Sequence, residues 1–172
     1  MTIQVVSGNI TQFPADVLVT FVNPYGVWRG GVDRAIQAIS PHYHRSLKHR
    51  LNERPGNLPN TAKYLVEGDS EMHGGEFKDV LFVVDDVDHP APIDALVSTA
   101  LFYAASIRAE TISIPVPRTG QAARFFPDVN GTVLQFVRGV LEFSVLYPEV
   151  EVSIVVYDDD DMKTFLELCL GL

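Results

Sequence analysis

The sequence predicts an α/β domain, a three-layer α/β/α sandwich whose six-stranded sheet is mixed and largely parallel. Three observations carry this expectation. Six short apolar runs recur along the 172 residues, most of them without polar interruption, which is how strands buried on both faces read. Amphipathic helical spacings lie between them. The two patterns alternate instead of segregating, as in sheets covered by helices on both sides.

The elements follow in chain order. "IQVV" (3–6) and "VLVTFV" (17–22) are the first two strands. Helices are predicted over about 31–40 and 43–53. "AKYLV" (62–66) and "VLFVV" (80–84) are strands, and "VEGDSEMHGGEF" (66–77) reads as an exposed hairpin or loop. A helix over about 93–108 precedes the strand "TISIPV" (111–116). A long helix after Pro127 carries Val133, Val137, Val140, Leu141 and Tyr147 at helical spacing. "VSIVVY" (152–157) is the last strand, and the chain ends on the helical "DDDDMKTFLELCL". Nothing reads as a linker, repeat or low-complexity segment, so residues 1–172 form one domain. A chain of this length buries about 70% of the surface its unfolded form exposes.

Composition narrows the function classes. Thirteen Lys and Arg against 22 Asp and Glu give a net charge of −9. A surface of that sign repels polyphosphate backbones, which argues against nucleic acid as a partner. A small anion remains possible as a ligand, because backbone amides and a helix N-terminus supply positive potential without side-chain charge. The one cysteine, Cys169, excludes an internal disulfide and suits a reducing compartment. The opening "MTIQVVSGNI" lacks a basic region and a long apolar core, unlike a signal peptide. "ALVSTALFYAASI" is too short and too interrupted to span a membrane. A cytoplasmic protein without membrane contact is expected.

In such a sheet the ligand site lies beyond the carboxyl ends of the strands. Three loops fall there: "GVWRGGVDRAI" (26–36), "PRTGQAARFFP" (117–127) and the start of the last helix, "YDDDD". Gly30 and Gly31 stand directly ahead of a helix. They suit amide N–H groups held toward an anion, through a backbone conformation or a close approach that only glycine allows. A tight strand-to-helix turn without ligand explains them equally well. The dinucleotide G-x-G-x-x-G spacing is absent, as is the phosphate loop ending in Gly-Lys-Ser/Thr. Arg118 and Thr119 are phosphate-compatible side chains, so the second loop suggests a clamp on a diphosphate. The four aspartates at 158–161 read as a solvated helix cap, not a metal site. His42, His44 and His49 share no helix face at metal spacing and read as surface residues; His73 and His89 are isolated. Cys169 reads as a small buried hydrophobe. No metal and no cofactor is expected.

"VVSGNITQFPADVLVTFVNPYGVWRGGVDRAI" resembles the N-terminal signature of the macrodomain family, close to V-x-G-D-I-T, then A-D-A-I-V-N-A-A-N, then G-G-G-G-V-D-x-A-I. The match falls on Gly8, Ile10, Thr11, Ala15, Asp16, Asn23, Gly30, Gly31, Val32, Asp33, Ala35 and Ile36. "ISIPVPRTG" resembles the family's second loop, I-A-F-P-A-I-G-T-G, and "IVVYDDDDMKTF" its closing strand and acidic helix start. Together they span nearly the whole chain.

The resemblance implies a site for ADP-ribose, free or attached to a protein or metabolite. By that similarity Asn9 contacts the adenine amino group through its acceptor oxygen, in place of the family's Asp. Ile10 meets the adenine edge and Tyr157 its face. Asn23 holds the distal ribose. Gly30, Gly31 and Val32 cradle the diphosphate, and Arg118, Thr119, Gly120, Gln121 and Ala122 close over it. Asn23 and Asp33 are the catalytic candidates for hydrolysis of an ADP-ribosyl linkage, Asp33 as a base or orienter, although an acidic residue in a first turn also serves as a plain cap. Thr20 replaces the first Asn of the family's N-A-A-N, and Trp28 and Arg29 replace two glycines. Two further readings are therefore a reader that binds without turnover, and a scaffold whose Trp28 and Arg29 block the cleft.

Overall fold

A computed structural model of the chain describes residues 2–26, 30–53, 58–68 and 73–172. Its six strands are β1 (Thr2–Ser7), β2 (Ala15–Val22), β3 (Lys63–Val66), β4 (Phe77–Val84), β5 (Thr111–Pro115) and β6 (Glu151–Val156). Its five α-helices are α1 (Gly31–Ile39), α2 (His42–Asn52), α3 (Ile93–Ser106), α4 (Val129–Leu146) and α5 (Asp160–Leu170). Every strand and helix read from the sequence is present. Two 3-10 turns, Ile10–Gln12 and Gln121–Phe125, were not anticipated. Segments of three to five residues carry no periodic signal to read.

The strands form one mixed sheet in the order β1-β6-β5-β2-β4-β3. Only the edge strand β3 runs antiparallel, against β4; the other pairings are parallel. Part of the β3–β4 connection, like Trp28 and Arg29, lies outside the described residues.

Alternation along the strands builds two cores. Val17, Val19, Leu81, Val83, Val152 and Ile154 face α3, α4 and α5, while Leu18, Val22, Val80, Phe82 and Val84 face the side holding Ile36, Tyr43 and Leu47 of α1 and α2. Successive strand residues point to opposite faces. A run of consecutive apolar residues therefore feeds both layers, which is why these strands show no polar face. On α4, Val133, Val137 and Val140 are buried as expected, together with Phe136 and Phe143. Leu141 is exposed instead, and Tyr147 is the residue that ends the helix. No helix among the described residues is long and apolar enough to cross a membrane.

Candidate functional site

Strands β6, β5 and β2 are neighbours, so the loops that leave their carboxyl ends lie side by side. They enclose a cleft of about 960 Å³, within the usual range of small-molecule sites. Asn9, Ile10, Asn23, Gly30, Gly31, Val32 and Asp33 line it, and so do Arg118, Thr119, Gly120, Gln121, Ala122 and Tyr157. Parallel strands bring together residues more than 140 positions apart, and every candidate named from the sequence reaches this one cleft.

Its first wall is the start of α1. The first bond of the helix runs from Arg34 N–H to Gly30 O at 3.2 Å. The N–H groups of Gly31, Val32 and Asp33 therefore precede any intrahelical partner. Gly30 is extended, with φ −80° and ψ 160°, a conformation any residue adopts. Of the two reasons for glycine here, backbone conformation fails. A Cβ on Gly31 would meet no atom of the described residues within 4 Å, and one on Gly30 would make only ordinary contact, with Asp33. Packing against the described residues does not require glycine at either position. The space a side chain would take is the cleft itself.

Asp33 does not cap its helix. No side chain among the described residues caps α1. Asp33 is buried, and its Oδ1 accepts the Thr20 hydroxyl at 3.1 Å and the His44 Nε2–H at 3.2 Å. The carboxylate thus links β2, α1 and α2 in the wall of the cleft. His44 corrects the sequence reading, which placed it on the surface: its ring is buried edge-on against Phe82. The signal was available, since Tyr43, His44 and Leu47 follow helical spacing and all three are buried. His73 is likewise not isolated, its Nε2 meeting the Tyr43 hydroxyl at 2.8 Å. His49 is exposed as expected; His89, read as isolated, is exposed but its Nδ1 lies 3.3 Å from the Asp86 carboxylate.

The second wall differs from the clamp expected of it. Arg118 lines the cleft together with Asp85, but its guanidinium is already engaged. Its Nε and NH2 donate to the Asp85 carboxylate at 2.9 and 2.7 Å, and NH2 also donates to Ala91 O at 2.8 Å. The guanidinium stacks on Phe126, 4.4 Å from the ring centroid. Arg118 takes a left-handed φ of 63°, costly for a side chain of this size, and the buried ion pair holds it there. The Thr119 hydroxyl donates to Val116 O at 2.8 Å. Both polar side chains are therefore spent on the loop's own shape. Gly120, Gln121 and Ala122 line the cleft as well, and Gln121 and Ala122 open a 3-10 turn whose first bond runs from Ala123 N–H to Gly120 O. Asp85, at the end of β4, was missed because nothing in the sequence ties it to a residue 33 positions away.

At the far end, Asn9 follows β1, and Gly8 N–H donates to Val156 O at 2.9 Å. That bond brings Asn9 beside Tyr157, which is 80% exposed. Asn9 Oδ1 accepts both the Thr11 backbone N–H at 3.0 Å and the Thr11 hydroxyl at 2.8 Å, so the oxygen assigned to the adenine amino group is already engaged. Asn23 Oδ1 accepts Tyr25 N–H at 3.0 Å and shapes the turn after β2. Asp159 caps α5 by accepting Met162 N–H at 2.9 Å, as the solvated-cap reading expects. No group of three or more His, Cys, Asp or Glu among the described residues could hold a metal.

Comparison with known folds matches this architecture over nearly its full length. A macrodomain of Oceanobacillus iheyensis with MES bound superposes with a TM-score of 0.79 at 18% identity, covering 97% of this chain and 89% of the other. The chain has the macrodomain fold. The same bacterial macrodomain with ADP superposes at 0.77 and 18% identity, covering 97% of this chain and 88% of the other. The macrodomain of Trypanosoma brucei in complex with ADP-ribose gives 0.78 at 18% identity, over 98% of this chain and 69% of the other. No protein-family model matches the sequence, and no curated protein matches it. At this identity the macrodomain fold is kept by the two cores and the sheet order, while most side chains have changed.

Proposed function

We propose that the cleft binds ADP-ribose or a related ADP-ribosyl nucleotide, free or attached to a protein or metabolite. The observation that carries this reading is the pair Gly30 and Gly31. Neither backbone conformation nor packing explains them, and glycine early in a helix costs up to about 1 kcal/mol relative to alanine. Gly30 also suits the N-cap position it occupies, and at Gly31 close approach of a ligand to the backbone supplies the reason for glycine. The amides of residues 31–33 and the positive end of α1 then receive a diphosphate on a protein of net charge −9. The opposite loop adds backbone from Gly120 to Ala122, and Tyr157 offers a ring for a base. Two of the similar structures carry ADP or ADP-ribose by name, which supports the same ligand class.

Titration calorimetry with ADP-ribose tests the reading. Measurable heat with one site per chain is the expected result. No heat and no thermal shift at millimolar ligand overturn it and leave a protein-interaction scaffold.

A second reading, hydrolysis of an ADP-ribosyl ester, rests on Asp33, a carboxylate fixed by two donors in the wall of the cleft. Asp33→Asn keeps its shape. If Asp33 orients the attacked group or a water, turnover falls about 10²–10⁴-fold, and product affinity changes far less because the contribution belongs to the transition state. A parent protein with no turnover on ester-linked, arginine-linked or O-acetyl ADP-ribose is a reader.

A further inference from the structure

The two ends of the cleft differ in chemistry. The start of α1 and the second loop line the cleft beyond β2 and β5, while Ile10, Val155, Val156 and Tyr157 give the β1–β6 end an apolar and aromatic lining. A flat ring belongs at the second end, where the polar side chains lining the cleft are Asn9, beside the turn that follows β1, and Asp159, whose Oδ1 accepts Met162 N–H as the cap of α5.

An asparagine ordinarily reads adenine with both halves of its amide, the oxygen taking the N6 amino group and the NH2 donating to N7. That arrangement is closed here. The Thr11 backbone N–H can only donate, so the group facing it must be the amide oxygen. The same oxygen also takes the Thr11 hydroxyl, which fills both of its lone pairs. These bonds cap the 3-10 turn Ile10–Gln12 and fix the orientation of the side chain. What remains to meet a ligand is Nδ2, a group that donates and cannot accept. An amino group opposite it is met donor to donor. The O6 and N7 of a 6-oxopurine are both acceptors and satisfy it.

We infer that Asn9 makes this cleft select a nucleoside diphosphate with a 6-oxopurine base, hypoxanthine or guanine, over one with adenine. This deepens the reading of the cleft as a nucleotide site and rests on it. An Asp in place of Asn9 keeps one oxygen on Thr11 and presents a second acceptor. Asn9→Asp therefore reverses the preference while leaving the turn capped, since Asp and Asn cap about equally well.

The test is titration calorimetry of parent and Asn9→Asp proteins with inosine diphosphate, ADP and ADP-ribose. The first two differ at the purine 6-position and its adjoining proton. The parent protein is expected to bind inosine diphosphate about tenfold more tightly than ADP, the scale of one hydrogen bond matched instead of opposed, and Asn9→Asp to favour ADP. Equal or tighter binding of ADP by the parent overturns the inference while leaving the nucleotide site standing. A preference for inosine diphosphate that persists unchanged in Asn9→Asp overturns the assignment to Asn9. Failure of all three ligands to bind removes the nucleotide site itself, and the inference with it.

Discussion

His44 on α2 donates its Nε2–H to the Asp33 carboxylate at 3.2 Å, and both side chains are buried. The bond joins the two helices that cover one face of the sheet, directly behind the wall of the cleft. Replacing His44 with Ala leaves a buried carboxylate one donor short and removes a ring packed on Phe82. The expected loss is about 1–3 kcal/mol, read from urea denaturation. A surface histidine would change stability by no more than about 0.5 kcal/mol, so a value that small rejects the buried link.

Gly31→Glu separates folding from binding. The new Cβ meets no atom of the described residues within 4 Å, and a carboxylate in the first turn of a helix is favoured by about 0.3–1 kcal/mol. Stability should stay level or rise, while ADP-ribose affinity disappears, because side chain and charge both stand where phosphate belongs. Thermal unfolding and calorimetry on one preparation check both halves. Undiminished binding would move the diphosphate away from α1.

The Arg118–Asp85 pair predicts strong coupling. Asp85→Ala strands a buried guanidinium and should cost about 3–5 kcal/mol. Changing both partners, Asp85→Leu with Arg118→Met, removes the stranded charge and should recover much of that loss. Affinity measured on the double variant then reports on the arginine. Binding kept near the parent value means that Arg118 shapes the loop and does not itself hold phosphate.

Tyr157 contributes little to the fold, being 80% exposed. Tyr157→Ala should leave unfolding within about 0.5 kcal/mol of the parent. Nucleotide binding should weaken by about 1–3 kcal/mol, the worth of a base stacked on an aromatic ring. An unchanged affinity in calorimetry would leave the ring without a role in the cleft.

The sequence alone determined the layered architecture and the loops that form the cleft. Those features follow from local periodicity. Consecutive apolar residues such as Val17, Leu18 and Val19 must serve two cores once they are extended, and strands alternating with helices leave few arrangements of a sheet. Gly30, Gly31 and the residues after β5 were legible for the same reason, because a strand's end fixes where its loop emerges. The partners of the polar side chains were decided only by the tertiary structure. Arg118 reads as a phosphate ligand until β4 places Asp85 within 2.7 Å of it. Asp33 reads as a catalytic candidate or a cap until Thr20 and His44 take its Oδ1. Asn9 reads as an acceptor until the turn at Thr11 uses up its lone pairs. A charged or amide group bonds whichever complementary group the fold brings within about 3 Å, and no spacing in the sequence encodes which of several that is.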